Sequence, residues 1–307
     1  AVEVNTSKYN RNLVLSTTDP YFTQNGISRT IDVFQRTTRP YLGDIDSYSL
    51  VNSGLGLRFG VPVTETDTVF VGANAEQTLI KAGTGLPFAY QAYATEFGAT
   101  STAIPLTLGW ARDGRDSALV PTRGSLQRVN ADVSVAGDVR YARASYQFQQ
   151  YVPLSKKYTL AFNTDLGWGQ GLKGQPYPLF KNFYVGGLGS VRGFEQSTLG
   201  PSEPNSSTNT ALIYLGGPKK LVFNAELLMP FPGAGNDRTL RLFGFTDVGS
   251  AFGENQQVSA DALRASAGVG LSWISPMGPL RFSYAMPIRQ QTGDKIQRLQ
   301  FQIGTSF

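Results

Sequence analysis

The chain of 307 residues contains no cysteine and no histidine. Without thiols there is no disulfide scaffold, no iron–sulfur cluster and no thiol catalysis. Without imidazoles there is no catalytic triad with a histidine base, and no zinc site built on His or Cys. Charge is also scarce. Asp, Glu, Lys and Arg make up 16% of the residues, against ~25% in ordinary globular domains. Long apolar runs are missing too, and with no window of roughly 18 apolar residues no transmembrane helix is expected. The opening Ala1-Val-Glu-Val lacks the basic and apolar regions of a signal peptide, which predicts a mature or truncated chain. The net charge of +5 is mild, and Lys156-Lys157 and Lys219-Lys220 are isolated pairs. No nucleic-acid patch is expected.

What fills the composition is glycine (34 residues), Ser, Thr, Asn and Gln, with 12% aromatics. A disordered chain would carry fewer aromatics and more net charge. The dominant pattern has period two. Leu299, Phe301, Ile303, Thr305 and Phe307 alternate with Gln300, Gln302, Gly304 and Ser306; Leu280, Phe282, Tyr284 and Met286 alternate with Arg281, Ser283 and Ala285. Strict alternation over eight to ten residues argues for strands with one apolar and one polar face. No stretch holds a helical period for three turns, so the chain reads as all-β.

About fourteen strands are expected, near 2–7, 11–19, 28–38, 47–62, 67–79, 102–112, 124–136, 141–152, 158–170, 210–228, 239–250, 263–274, 280–288 and 298–307. One set of connections is turn-like; the other includes two long members, 81–101 and 171–209. Long alternating strands with turns at one end and longer loops at the other are the signature of an outer-membrane β-barrel, apolar outside and polar toward the lumen. Residues 1–307 are read as one transmembrane β-barrel domain. The turns at 153–157, 230–238 and 275–279 are expected on the periplasmic side, and the 39-residue connection 171–209 on the other. A loop this long without structure is ordinarily functional or disordered.

That loop holds Phe183-Tyr-Val-Gly-Gly-Leu-Gly-Ser-Val-Arg-Gly-Phe194, followed by Gln196-Ser-Thr-Leu-Gly-Pro201. Its glycines do not form a phosphate-binding spacing, and no G-x-S-x-G nucleophile elbow occurs in the chain. Val191-Arg192-Gly193-Phe194 is similar to the sixth-loop motif of the outer-membrane assembly and translocation superfamily. The surrounding run resembles the BamA-type branch of that family. Asp19-Pro-Tyr-Phe22 with Gly26, Arg112-Asp113 through Pro121 and Gly124, Phe245-Thr-Asp-Val-Gly249, Ser275-Pro-Met-Gly-Pro279 and Phe301-Gln-Ile-Gly-Thr-Ser-Phe307 agree with it in order.

The resemblance implies an antiparallel barrel of the sixteen-strand type, with the sixth extracellular loop folded into the lumen. Ala1–Lys8 aligns best with the third family strand, so the first two strands and the periplasmic POTRA domains are expected to be absent from this chain. In the family the motif Arg docks on an acidic strand residue among aromatics. Matching motif to motif gives Asp247 for Arg192, with Glu226 as the second candidate and Phe243 and Phe245 as neighbours. A buried guanidinium without such partners would be costly.

The resemblance further implies a seam between first and last strands, to which Leu299, Phe301, Ile303, Gly304 and Phe307 would contribute. Function follows as assembly of β-barrel proteins into the bacterial outer membrane by strand templating at that seam. Unfolded barrel clients, outer-membrane lipids and accessory lipoproteins are the expected partners. No cofactor, no metal and no enzymatic activity are expected. The alternatives are a secretion translocator of the same superfamily, a passive porin and, least supported by the residues, an outer-membrane hydrolase.

Overall fold

The computed structural model describes residues 2–6, 10–39, 48–83, 86–204, 212–233, 239–275 and 278–304. Fourteen strands form one antiparallel sheet in chain order. They are β1 (Val2–Thr6), β2 (Asn10–Asp19), β3 (Ser28–Thr38), β4 (Tyr48–Pro62), β5 (Asp67–Ala82), β6 (Thr100–Asp113) and β7 (Gly124–Gly137). Then follow β8 (Tyr141–Pro153), β9 (Thr159–Gly171), β10 (Lys219–Pro230), β11 (Leu240–Phe252), β12 (Arg264–Ser275), β13 (Gly278–Arg289) and β14 (Leu299–Ile303). Each strand pairs with its sequence neighbour, and among the described residues β1 and β14 are the two edges of the sheet.

The sheet curls onto itself. Arg241 on β11 donates to the carbonyls of Val120 and Pro121, in the connection between β6 and β7, at 3.1 and 3.2 Å. Glu76 on β5 accepts from the Tyr141 hydroxyl on β8 at 3.3 Å. The two faces then sort as the alternation predicts. On β6, Ile104, Leu106 and Leu108 point outward and are exposed, whereas Ser101 and Ala103 are buried inside. An aliphatic face open on the outside and polar groups packed within are the reverse of a soluble sandwich. The arrangement suits hydrocarbon, where closed strand pairing leaves few backbone groups unsatisfied. At the turn end, Gly124 has φ +97°, and a Cβ there would lie 2.1 Å from the Gly114 carbonyl oxygen, so the 113–124 turn closes only with glycine.

Three expectations need correction. The connection between β5 and β6 carries an α-helix, α1 (Phe88–Phe97). At ten residues it is shorter than three turns, and its apolar signal reduces to Tyr90, Tyr93 and Phe97 at spacings of three and four. The helix is held by packing: Tyr90 and Tyr93 are buried against Tyr48, Ile80, Tyr141 and Tyr177. The single strand expected over 210–228 is instead interrupted. Leu212–Tyr214 pairs with Ser202–Pro204 inside the long loop, and the barrel strand starts only at Lys219, after Gly216-Gly217-Pro218. Finally, β14 ends at Ile303. Gly304 follows with φ +87°, its N–H still donating to the Pro279 carbonyl opposite at 2.8 Å. Phe307 lies outside the described residues.

Candidate functional site: a loop docked inside the barrel

The connection between β9 and β10 enters the barrel along the inner wall of β9–β14. Glycines on that wall make room for it. A Cβ at Gly167 would stand 2.8 Å from the Phe183 ring, and one at Gly169 2.5 Å from Tyr177. The glycine-rich polar face thus accommodates aromatic side chains of the loop. Val191 and Phe194 are fully buried in a cluster with Val185, Leu199, Val222 and Ala251. Gly193 has φ +88°, and its missing Cβ lets the backbone approach Ala285 on β13 to within 3.1 Å of the ideal Cβ position.

Arg192 sits at the centre. Its Nε donates to Asp247 Oδ2 at 2.7 Å, Nη2 to Asp247 Oδ1 at 2.6 Å, and its backbone N–H to Asp247 Oδ2 at 3.0 Å. The remaining arm donates from Nη1 to Glu226 Oε1 at 2.6 Å. Both carboxylates expected from the sequence therefore hold the guanidinium together. Its plane lies over Phe245, with Cζ 3.5 Å from the ring centroid, and Phe243 stands beside it at 5.6 Å. Arg192 is 2% exposed and Asp247 0%. A fork of charge-assisted bonds with a ring beneath is the arrangement a desolvated guanidinium requires.

Sequence reasoning missed the rest of the network. Arg281 on β13 donates its Nη2 to Glu226 as well, so two guanidiniums face two carboxylates. Asn224 on β10 donates to Asp247 Oδ1 at 2.8 Å and to the Ser190 carbonyl at 2.6 Å. From β14, Gln300 Oε1 accepts the Gly193 N–H at 3.3 Å, while its Nε2 donates to the Phe194 carbonyl at 2.6 Å. Gly193–Phe194 also pairs with Ile296–Gln297, just before β14. The signal for all three residues was their position on the polar face; alternation alone could not say which polar-face residues meet the loop.

Nearer the loop end, Lys181 pairs with Glu76 at 2.5 Å. Glu203 Oε1 accepts the Ala89 N–H at 2.9 Å, supplying helix α1 with a cap that its own Pro87 lacks. Opposite, between the loop and β3–β5, lies a cavity of about 840 Å³ lined by Arg36, Arg39, Asn52, Thr78, Tyr214 and Lys295, among others. On β14 itself, Leu299, Phe301 and Ile303 are 66%, 65% and 69% exposed on the outer face. Among the described residues no group of three or more Asp or Glu is placed to hold a metal.

Fold and site together define an outer-membrane β-barrel whose lumen is occupied by an arginine-anchored extracellular loop. The Omp85 superfamily domain matches residues 1–307, and the chain belongs to that superfamily. It is 37% identical to the outer membrane protein assembly factor BamA of Neisseria meningitidis serogroup B, covering 100% of this chain and 43% of the relative. To the BamA of Nitratidesulfovibrio vulgaris it is 26% identical, covering 96% of this chain and 36% of the relative. The chain thus spans less than half the length of these relatives. Its fold matches the crystal structure of Haemophilus ducreyi BamA lacking POTRA domains 1–3, with a TM-score of 0.88 at 24% identity over 98% of this chain and 63% of that one.

Proposed function

We propose that this chain is the membrane barrel of an outer-membrane protein assembly factor, which inserts and folds β-barrel proteins. The observation that carries the reading is the contrast between the Arg192 anchor and the last strand. The loop is fixed on the inner wall by buried ion pairs, while β14 forms only five residue pairs with β13 among the described residues. A last strand held by so short a ladder is the place where the sheet opens most readily to an incoming strand. Clients are unfolded outer-membrane β-barrel chains; outer-membrane lipids and accessory lipoproteins are the further partners. The barrel works without cofactor and without covalent chemistry, so it is not an enzyme.

The test reconstitutes the full-length protein in liposomes and measures the folding rate of an unrelated small β-barrel. Acceleration over empty liposomes, lost when β14 is locked by a cross-link across the seam, supports the reading. Ion conductance without acceleration would indicate a porin, and export of a dedicated partner without acceleration a secretion translocator.

A further inference from the structure

We propose that Gln300 is a positioning residue that couples the docking of the inner loop to the seating of the last strand. This rests on the proposed assembly function only for its consequence; the coupling itself stands on geometry. Gln300 and Gln302 share the inner face of β14, yet they differ. Gln300 is 4% exposed and uses both ends of its amide on consecutive loop residues, accepting from Gly193 and donating to Phe194. Among the described residues Gln302 reaches only the Gly304 carbonyl, within its own strand end, at 3.4 Å.

The strand needs such a hold. Other ladders of the sheet are long; β11, for example, forms twelve residue pairs with β10 and ten with β12. In contrast, the ladder between β14 and β13 has only five residue pairs among the described residues. At its ends the Arg298 carbonyl accepts the Ala285 N–H at 2.9 Å and Gly304 donates to the Pro279 carbonyl at 2.8 Å, and further attachments run through the loop: the Gly193–Phe194 pairing with Ile296–Gln297, the Glu195 N–H donating to the Lys295 carbonyl at 2.9 Å, and the Gln300 amide. Arg192 is the residue immediately before Gly193. Whatever seats Arg192 on Asp247 therefore also presents Gly193 and Phe194 to Gln300. By linkage the effect is reciprocal: a loosened β14 loosens the loop, and a released loop loosens β14. An amide suits the task because it offers a donor and an acceptor to a backbone that presents one of each. Leu at this position would remove both bonds and leave the buried Phe194 carbonyl without this donor.

The experiment uses the full-length protein in liposomes with the Gln300→Leu substitution. Hydrogen exchange is read over Leu299–Ile303, and protease sensitivity over the loop at 172–204. Losing one or two buried hydrogen bonds accelerates exchange by about tenfold or more, and both segments are expected to loosen together. A second form adds Glu195→Cys and Lys295→Cys, the only thiols in this barrel chain, at directly opposed positions. Oxidation is expected to restore protection in the loop and in Leu299–Ile303 alike, and reduction to abolish it, a reversal that misfolding would not show. Loosening confined to one segment, or a tether that restores the loop but leaves β14 exchanging fast, overturns the coupling. If both segments loosen and recover while client folding never changes, the coupling holds and the templating reading of β14 fails.

Discussion

The two halves of the inner wall carry cations in opposite conditions. On β9–β14, where the loop lies, the cations are matched: Arg192 with Asp247 and Glu226, Arg281 with Glu226, Lys220 with Asp165 at 2.6 Å, and Arg264 with Asp294 at 3.0 Å. On the β3–β4 side, Arg36, Arg39 and Arg58 have no ion pair among the described residues, and the wall faces the 840 Å³ cavity. The strands are alike in pattern; the difference is the loop. Where it excludes water, an unmatched charge would be prohibitive, so these four have carboxylate partners, and the buried Arg241 is met by the Val120 and Pro121 carbonyls. Where water remains, a cation needs none. The matched wall is therefore a structural joint, and the open wall is solvated space.

The comparison breaks most visibly at Arg192. Arg192→Ala leaves Asp247 buried without its cation and is expected to cost ~3–5 kcal/mol. Arg36→Ala on the open wall should stay within ~0.5 kcal/mol. Denaturant unfolding in lipid or detergent measures both, and equal costs would erase the distinction between the walls.

A second contrast separates the open lumen from lipid. Leu15 and Val14 are adjacent on β2, but Leu15 is 48% exposed on the outer face while Val14 pairs with Phe34, on the inner one. Leu15→Arg should cost ~2–4 kcal/mol near the bilayer midplane, and Val14→Arg much less. Similar unfolding free energies for the two would contradict the assigned faces.

Smaller effects sharpen the picture at the two ends. Glu203→Ala removes the acceptor for the Ala89 N–H and should weaken α1 by about 1 kcal/mol, as for a lost helix cap. Faster proteolysis at 86–99, with 299–303 unchanged, is the expected readout. At the turn end, Asp116 shows charge held without an ion pair among the described residues. Although its partial burial works against the carboxylate, the Thr122 hydroxyl and the backbone N–H groups of Thr122 and Arg123 draw its pKa down to about 2. A depressed carboxylate pKa stabilises the turn above the ordinary carboxylate value, and that stability is lost as pH falls through about 2. The 113–124 turn should therefore keep its protease resistance down to about pH 4 and lose it between there and about pH 2. Loss already complete at pH 5 would rule out this hydrogen-bonded carboxylate as the cause.

Much of this was legible in the residues. Alternation located the fourteen strands of the sheet and assigned Leu299, Phe301 and Ile303 outward and Gln300 inward. The Val191–Phe194 motif named Arg192, and the family resemblance named Asp247 and Glu226, all of which meet in the structure. Helix α1 was not legible, because Tyr90, Tyr93 and Phe97 give too short an apolar period and the helix owes its place to partners on β4, β5 and β8 and in the loop. The break before Lys219 was hidden because Leu212–Tyr214 has strand character of its own and spends it on Ser202–Pro204.

The sequence by itself determined the faces. Alternation is a local consequence of the pleat, so each strand carries its own inside and outside wherever it is placed. It also determined that Arg192 needed carboxylates if the loop turned inward. Only the tertiary structure decided which inner-face residues would be dry. Asp247, Glu226, Arg281 and Gln300 lie between 34 and 108 positions from Arg192 in the chain, and nothing local distinguishes Gln300 from Gln302 or Arg281 from Arg36. Their difference arises when a distant loop displaces water from one wall and leaves it on the other, since desolvation belongs to the assembled fold rather than to any segment of it.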